Sequence, residues 1–374
     1  MANLSLYIHI PFCKKKCKYC DFVSFQSCSD SVQNDYVNLL CQEIEDRKTN
    51  DKVVSIFLGG GTPSLLSEDN IKKIFDKIYS CYNVEKNAEI TIEVNPNSVS
   101  QTKLKVYKQV GINRISVGVQ SLNDGVLQIL GRLHSSSQAL DALKLIKEEG
   151  FENVNVDVMF GVVKLTKQEI EEQINNLFPY VKHISTYMLI LEENTPLFNL
   201  VKRKEVCLPS EEETIKQYEI ARKCIQKLGL KRYELSNYAL KGFESAHNSR
   251  YWNFSNYFGF GISAHSFYND KRFWNPSNFN DYKLLIKNKS KNLEKEELSI
   301  KEKKEEFIML SLRLKDGINI QRYKDVFNQD LLEDKKEQIN LLVNNKLIKV
   351  SRSNLKPTEK GLKILNQIIL KLID

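Results

Sequence analysis

Three cysteines in one short run have the residue type and spacing best suited to chemistry in this sequence. Cys13, Cys17 and Cys20 stand in PFCKKKCKYCDF, directly after a predicted strand. A loop with the spacing C-x3-C-x2-C brings three thiolates around one point, which is enough to bind three irons of a [4Fe-4S] cluster and leave the fourth iron open. An open iron accepts a substrate or a cofactor as its ligand. The run therefore predicts an iron–sulfur centre that binds a further molecule.

Two other interpretations of this run stay open. One is a zinc site completed by His9 or Cys28, and the other is a group of surface thiols without a metal. Zinc sites usually present two paired Cys-x2-Cys or Cys/His clips, and this sequence has no second clip, so the spacing favours the cluster. The other cysteines are scattered and are expected to be ordinary buried thiols. They are Cys28, Cys41, Cys81, Cys207 and Cys224.

Polar residues at the ends of predicted strands form a second group of candidates. The segment Gly59–Pro63 follows a strand directly, and its glycines would let the backbone approach a ligand, although a tight turn explains them equally well. Glu93 ends the next strand and is either a hydrogen-bond acceptor for a ligand or a solvated carboxylate. Gln120 ends a further strand, and Arg132 lies beyond it. Asp157 stands among valines, where a carboxylate is costly unless it has a partner, so it is a site candidate.

The elements that must position these residues alternate between short aliphatic runs and longer amphipathic stretches, which is typical of βα units. The predicted strands are Leu4–Ile10, Val53–Leu58, Glu89–Val94, Arg114–Val119, Val154–Phe160 and His183–Leu191. The predicted helices between and after them are Ser31–Arg47, Ser67–Ser80, Ser100–Val110, Ser136–Glu149, Thr166–Leu177 and Glu211–Leu228. Six such repeats predict an α/β fold with a partial (β/α)6 barrel, which binds its ligands at the carboxyl ends of the strands.

The rest of the chain is expected to form two further parts. Residues 1–230 would be the barrel, and residues 231–300 an extension rich in aromatic residues and glycine. A shift to lysine and glutamate around Lys287–Glu306 indicates a linker or a domain boundary. Residues 301–374 would form a small, mainly helical, winged-helix-like domain with a polar turn at Ser351–Asn354. Two helix starts, at Thr166 and Ser210, have a glutamate three residues later, which is the spacing of a capping box.

Composition limits the function classes. The 374 residues contain 55 basic and 47 acidic side chains, a net charge of +8, and 10% aromatic residues, which suits a folded protein of more than one domain. The basic excess is spread along the chain, so it favours solubility over nucleic-acid binding. Met1–Phe12 has no basic region followed by an apolar run, and no stretch predicts a membrane-spanning helix. We therefore expect a cytoplasmic protein.

The segment Tyr7–Phe22, YIHIPFCKKKCKYCDF, resembles the cluster loop of radical S-adenosylmethionine (SAM) proteins related to oxygen-independent coproporphyrinogen III oxidase. The resemblance implies that SAM chelates the open iron and that an electron from the cluster cleaves its sulfonium. It also implies that LGGGTPS contacts the methionine amino group. One departure is GVVKLT at Gly161–Thr166, where relatives have a Gly-Leu-Pro-Gly type of turn, so the shape of that loop is in doubt. The SAM-binding residues implied are Tyr7, Gly60, Gly61, Thr62, Glu93, Gln120, Arg132 and Asp157.

Two features separate the branches of this family. The oxidase has a fourth cysteine two residues after the third, and Phe22 stands there in this sequence. The segment HNSRYW beginning at His247 resembles the H-N-x-x-Y-W motif of the haem chaperone (HemW-like) branch. Imidazole is a common haem ligand, and Tyr251 and Trp252 would present flat faces to a macrocycle, although an isolated histidine near aromatic residues is more often a packed, hydrogen-bonded residue. His265 is a second candidate ligand, and a structural role beside a glycine-rich turn explains it equally well.

Three function classes stay open from the sequence. The first is a haem chaperone with a [4Fe-4S] cluster and SAM, haem as its cargo, an electron donor for the cluster, and acceptor haem proteins that include membrane-bound respiratory enzymes. The second is the oxidase, a radical enzyme of porphyrin biosynthesis. The third is a cluster protein that acts on nucleic acid or on another protein through its C-terminal module. Phe22 and the motif at His247 favour the first class, and both a monomer and a dimer are compatible with the sequence.

Overall fold

Strands alternate with helices along the first two hundred residues of the protein. A computed structural model describes residues 3–26, 29–290 and 293–373. The strands within these residues are β1 (Asn3–Ile10), β2 (Phe12–Cys13), β3 (Phe25–Gln26), β4 (Lys52–Gly60), β5 (Asn83–Val94), β6 (Arg114–Gln120), β7 (Asn153–Phe160), β8 (His183–Met188), β9 (Lys231–Arg232), β10 (Asn237–Ala239), β11 (Tyr257–Phe260), β12 (His265–Tyr268), β13 (Lys271–Trp274), β14 (Glu294–Glu297), β15 (Ile318–Asn319), β16 (Ile348–Val350) and β17 (Asn354–Pro357).

The helices cover the outside of the large sheet and build most of the C-terminal part. In chain order they are α1 (Asp30–Asp46), α2 (Glu68–Cys81), α3 (Gln101–Gln109), α4 (Asp124–Leu130), α5 (Ser136–Glu148), α6 (Lys167–Leu177), α7 (Pro196–Lys202), α8 (Glu211–Lys227), α9 (Ala246–Trp252), α10 (Phe279–Lys287), α11 (Ile300–Ser311), α12 (Ile320–Phe327), α13 (Leu331–Asp334), α14 (Lys336–Asn344), α15 (Glu359–Leu362) and α16 (Leu365–Ile373). Both predicted capping boxes, Thr166 with Glu169 and Ser210 with Glu213, are confirmed at the starts of α6 and α8.

The large sheet confirms the predicted partial (β/α)6 barrel. Strands β1, β4, β5, β6, β7 and β8 are neighbours in chain order, and each pair is parallel. The extension after α8 enlarges this sheet at both ends, since β11 pairs in parallel with β1, and β10 pairs antiparallel with β8. In the described residues the sheet has twelve strands, with four strands beyond β1 at one end and two beyond β8 at the other end of the barrel strands.

The two faces of the barrel strands differ in chemistry. On β1, the outward positions Leu4, Leu6 and Ile8 are fully buried beneath the helices, whereas the alternate positions include Ser5 and Tyr7. The period of two comes from the pleat, which points successive side chains to opposite faces. Many inward positions of the neighbouring strands are also polar, so the inside of this barrel is a polar cavity rather than an apolar core.

The C-terminal part has its own hydrophobic core and a three-stranded sheet in the order β15–β17–β16, which agrees with the predicted winged-helix-like domain. The predicted turn closes with Ser351 N–H donating to the Asn354 carbonyl at 2.8 Å, and β17 lies between this turn and the last helices. Hydrogen bonds tie the domain to the extension, because Arg322 donates to the backbone carbonyl and the side chain of Asn253. The helices of the described residues include none that is long and apolar enough to cross a membrane.

The predicted linker at Lys287–Glu306 is wrong in part. Glu294–Glu297 forms β14, which pairs antiparallel with β13, and α11 begins at Ile300. The strand has the composition of a solvated linker, because all four side chains of β14 are exposed to solvent. The predicted strand that starts at His183 is also shorter than expected and ends at Met188.

Candidate functional site

The cysteine loop is fixed at the carboxyl end of β1. Cys13 lies in β2, which pairs with β3, so the residues between these strands form a closed loop that carries Cys17 and Cys20. The amide of Lys18 donates to the carbonyl of Leu130 at 2.9 Å, which ties the loop to the segment after β6. All three cysteines are free thiols and are partly exposed. The structure therefore places them together on one anchored loop, as predicted.

Hydrogen bonds link two of the cysteine sulfurs through the ends of the neighbouring strands. Arg132 Nη1 lies 3.4 Å from Cys17 Sγ, and its Nη2 donates to Asn95 Oδ1 at 2.5 Å. Asn95 Nδ2 donates to Thr62 Oγ1 at 2.9 Å, and Thr62 Oγ1 lies 3.8 Å from Cys13 Sγ. Donors aimed at sulfur stabilise thiolates and adjust the reduction potential of a bound cluster.

This donor set fits an iron–sulfur cluster. Burial raises the pKa of the Cys13 and Cys20 thiols, so iron binding is what would hold them as thiolates. Within residues 3–26, 29–290 and 293–373, no three His, Cys, Asp or Glu side chains converge closely enough to bind one metal ion. A [4Fe-4S] cluster does not require this convergence on one ion, because each thiolate binds a separate iron.

Of the two residues considered as further zinc ligands, His9 does not extend the thiol group in the structure. His9 has both ring nitrogens engaged, with Nδ1 3.0 Å from the Tyr7 hydroxyl and Nε2 3.3 Å from the Val23 carbonyl, and burial lowers its pKa. Cys28 lies outside the described residues.

The glycines at the end of β4 are required by close packing against the cysteine loop. A Cβ atom on Gly60, whose φ is +109°, would lie 2.5 Å from the His9 ring. A Cβ atom on Gly61 would lie 2.7 Å from the Phe12 carbonyl oxygen. The amide of Gly60 donates to Glu93 Oε2 at 3.1 Å. These contacts account for the glycines structurally, while their contact with SAM stays a prediction.

We expect Gly60→Ala to lower the free energy of unfolding by about 2–4 kcal/mol, since it combines a disfavoured φ with a clash against His9. Gly242→Ala is the matched control, because Gly242 has φ +89° but no atom within 4 Å of the position that an added methyl group would occupy. Urea unfolding should show a smaller loss for the control, about 1–2 kcal/mol from backbone strain alone. Equal losses would contradict the steric explanation.

A cavity of about 200 Å³ lies inside the barrel and brings together residues from both predicted sites. Tyr7, Glu93 and Asp157, predicted for SAM, line it together with His247 and Tyr251, predicted for haem. The complete lining is Tyr7, Phe57, Glu93, Arg114, Ser116, Asn155, Asp157, Ser185, Tyr187, His247, Asn248 and Tyr251.

The other predicted residues lie away from this cavity. Thr62 and Arg132 line a separate narrow cleft beside Cys17. Gln120 is buried at the end of β6 with φ 65°, a conformation that costs a non-glycine residue energy and often marks a functional site. Trp252 and His265 are not among the residues lining the cavity, and the His265 ring stacks on Trp274 with centroids 5.7 Å apart.

The two cavity carboxyl groups are held in a low-dielectric interior. Burial, and next the charge of Asp157, raise the pKa of Glu93 to about 8, although the Gly60 amide and Arg114 favour its ionised form. Burial also raises the pKa of Asp157, against hydrogen bonds from Asn155 and Ser185. Glu93 is therefore largely protonated at neutral pH and can donate as well as accept hydrogen bonds.

This shift predicts a pH dependence of stability. Folded Glu93 keeps its proton up to about pH 8, whereas the unfolded chain releases it near 4.5, so stability falls as pH rises between these values. Glu93→Gln removes the titration and should recover up to about 4 kcal/mol at pH 8 and above. Urea unfolding from pH 5 to 9 measures this, with Glu152→Gln at an exposed glutamate as control. A variant whose stability declines with pH as steeply as the parent would contradict the assignment.

The short helix α9 inserts His247 into the amino-terminal half of the barrel. Glu89 of β5 holds the helix start, since it accepts hydrogen bonds from Ser245 Oγ and from the amides of Ala246 and His247 at 3.2, 2.9 and 2.9 Å. His247 is 1% exposed. The predicted haem motif is thus part of the barrel wall rather than a surface loop.

Both ring nitrogens of His247 have protein partners. Nδ1 lies 3.0 Å from Ser55 Oγ, and Nε2 lies 2.9 Å from the Tyr251 hydroxyl. Burial, and next the charges of Arg250 and Arg114, lower the pKa of His247 to about 3, so the imidazole is neutral. A neutral imidazole is the form that binds a metal, but one hydrogen bond must break first. Its role as a haem ligand stays a prediction.

Trp252 is held between the extension and the C-terminal domain. The Arg313 guanidinium lies over its ring, 5.4 Å from the centroid, which is a cation–π distance. Its Nε1 is buried without a hydrogen-bond partner in the described residues. The C-terminal domain thus contacts the last residue of the predicted haem motif directly.

Sequence reasoning missed several cavity residues. They are Phe57, Arg114, Ser116, Asn155, Ser185 and Tyr187. Most stand at alternate positions of the predicted strands, as in RISVGVQ and NVNVDVMF, where the polar residues occupy one face. Polar residues at every second position of a strand predict that one face of the sheet is polar, and this pattern would have identified most of these cavity residues.

The chain is similar to known proteins along its whole length. Residues 7–177 match the radical SAM superfamily, and residues 298–364 match the HemN C-terminal domain. A solved structure of coproporphyrinogen III oxidase (HemN) from Escherichia coli superposes with a TM-score of 0.86 at 21% identity, covering 99% of this chain and 90% of that one, which shows the fold alone.

Curated relatives are closer in sequence. The chain is 33% identical over 373 residues to the haem chaperone HemW of Lactococcus lactis subsp. lactis, covering 99% of this chain and 97% of that protein. It is 36% identical over 333 residues to HemW of Bacillus subtilis, covering 87% and 88%. With these identities across nearly its full length, together with the radical SAM match, the chain belongs to the HemW family of radical SAM proteins.

Proposed function

We propose that this protein is a haem chaperone, which binds haem and delivers it to acceptor haem proteins. The observation that carries this proposal is the 33% identity to a protein named as the haem chaperone HemW across 99% of the chain. Phe22, in place of the fourth cysteine of the oxidase, and the motif at His247 support the same branch.

A [4Fe-4S] cluster would be held by Cys13, Cys17 and Cys20, and SAM would be its partner. When bound, these groups supply single electrons and radical chemistry. In the protein, Arg132 and Thr62 donate towards the sulfurs, which favours the thiolate form. The residues proposed for SAM are Tyr7, Gly60, Gly61, Thr62, Glu93, Gln120, Arg132 and Asp157.

Haem would bind at the motif on α9, with His247, Tyr251 and Trp252 as the proposed contacts. The cavity at His247 measures about 200 Å³, whereas pockets for drug-sized ligands measure about 300–1,000 Å³. Haem binding therefore requires a local opening. Rotation of Tyr251 would break its hydrogen bond to His247 Nε2, free that nitrogen, and enlarge the cavity in one movement.

Haem titration of the cluster-reconstituted protein, followed by mixing with an apo haem protein and separation of the two proteins by chromatography, tests the proposal. We expect a Soret band on binding and its appearance in the acceptor fraction. Tight binding without any transfer would contradict delivery, and the absence of binding would contradict the proposal as a whole. Acceptors would include membrane-bound respiratory haem proteins, and a one-electron donor would serve the cluster.

An activity assay separates the chaperone proposal from the oxidase alternative. In an anaerobic assay with coproporphyrinogen III, SAM and a reductant, the chaperone proposal predicts no decarboxylated porphyrinogen while the cluster spectrum stays intact, whereas the oxidase alternative predicts product. Product over many turnovers would overturn the chaperone proposal and show that position 22 does not separate the two branches.

A further inference from the structure

Arg114 is a buried cation with an unsatisfied donor. Its side chain lines the barrel cavity, and the residue is 1% exposed. Its Nε makes no hydrogen bond in the described part of the chain, and the nearest ion-pair contact is Glu89 Oε2 at 4.0 Å. A guanidinium carries five donors, and leaving donors unpaired inside a protein is costly. Such a group, facing a cavity, indicates a ligand that the cavity accepts.

The other charged and polar groups around the cavity restrict that ligand. Glu93 and Asp157 line the same space, and burial raises the pKa of both carboxyl groups, which limits the negative charge that an anionic ligand would meet there. Asn155 is already engaged, since it donates to Ser116 Oγ at 2.7 Å and to Asp157 Oδ1 at 2.9 Å and accepts from His183. Among the described lining residues, Arg114 is thus the cation available to a ligand, and a carboxylate matches its planar fork.

Position along β6 separates Arg114 from the cysteine loop. Arg114 begins β6, whereas Arg132, which contacts Cys17, follows the carboxyl end of the strand. The seven residues of this strand span roughly 20 Å. A ligand that binds the cluster through a carboxylate therefore cannot also form a hydrogen bond to Arg114 with that same carboxylate. His247, in contrast, lines the same cavity as Arg114.

We infer that Arg114 is a binding residue for a propionate carboxylate of the haem cargo, inside the cavity that also contains His247. This inference rests on the proposed function and adds to it a specific partner for the anionic side chains of haem. Glu89 then acts as a positioning residue, because it contacts both Arg114 and the start of α9.

The test compares haem with haem dimethyl ester, in which both propionates are neutral, on the full-length, cluster-reconstituted protein. The parent should bind haem about 10-fold or more tightly than the diester, the effect of one charged hydrogen-bonded pair. Arg114→Gln should bring this ratio close to one, and Arg114→Lys should retain part of it. Arg352→Gln, at an exposed arginine, is the matched control and should keep the parental ratio.

The ratio between the two ligands is informative even where a variant is less stable, because lost stability weakens both ligands together. An unchanged ratio in Arg114→Gln, or a parental ratio near one, would overturn the inference while leaving haem binding intact. SAM binding is measured on the same variants. A loss of SAM affinity with an unchanged haem ratio would assign the carboxylate to SAM and also overturn the inference. If the parent protein binds no haem, the result contradicts the proposed function, on which the inference about Arg114 rests.

Discussion

Replacing Cys17 by serine is expected to remove most of the iron and sulfide that the reconstituted protein binds. The loop offers three thiolates, and serine oxygen is a poor substitute for a soft thiolate ligand of an iron–sulfur cluster. Cys17 also receives the Arg132 contact at 3.4 Å, so the variant loses both a ligand and the group that stabilises its charge. Iron and sulfide analysis, together with the visible absorption spectrum, measures the effect, and SAM affinity should fall with the cluster.

Cys207→Ser is the matched control for this experiment. Cys207 is an exposed free cysteine outside the loop, so its replacement should leave iron content unchanged. Urea unfolding of both variants without the cluster should give similar stabilities, because Cys17 is itself partly exposed. If Cys17→Ser retains the parental iron content and spectrum, another residue supplies the third ligand and the assignment of the loop is wrong.

Replacing His247 by alanine is expected to reduce haem affinity by at least about 10-fold and to shift the Soret band, if its imidazole binds the iron as proposed. The same change should lower the free energy of unfolding by about 2–4 kcal/mol, since it removes two buried hydrogen bonds and leaves space beside Phe57. Haem titration and urea unfolding separate the two effects, provided that the titration uses protein shown to be folded.

His265→Ala supplies the comparison, because His265 is exposed and stacks on Trp274 away from the cavity. The haem spectrum of the His265→Ala variant should match that of the parent protein. Tyr251→Phe tests whether the hydrogen bond to His247 Nε2 must break before haem binds. The variant lacks the hydroxyl that is hydrogen-bonded to His247 Nε2, so its haem affinity should be at least that of the parent protein. An unchanged affinity and spectrum in His247→Ala would remove this histidine as the ligand and leave it a structural role.

Local patterns were sufficient to predict the barrel. The strand Val154–Phe160 differs by one residue from β7, because alternating valines identify a strand wherever it lies in the sheet. The helix starts at Thr166 and Ser210 are equally local, since each capping box closes within four residues. The cysteine loop was predictable for the same reason, as its spacing and its position after β1 are both read from adjacent residues.

Contacts between distant segments could not be predicted in this way. Asn95 joins Arg132 to Thr62, yet nothing in its neighbourhood distinguishes it from a turn residue. The sequence shows Arg114 as the polar start of a strand, and only the folded chain places it at a cavity that His247 of α9 also lines. Strand position and the resemblance both gave Gln120 and Arg132 as candidates, but their separation from the cavity is a property of the folded chain.

The open sheet has two ends, and each is protected from pairing with another copy in a different way. Unpaired backbone groups at a sheet edge invite edge-to-edge aggregation. Beside β9, the C-terminal domain covers the edge through the bridge between Glu234 and Leu314 and the bond from Lys315 N–H to the Tyr233 carbonyl at 3.0 Å. At the other end, β14 presents three glutamates and one lysine, all exposed, so two copies repel each other. The charged side chains of β14, whose composition resembled a linker, therefore protect this sheet edge from pairing. Apolar substitutions in β14 would promote self-association of the chain.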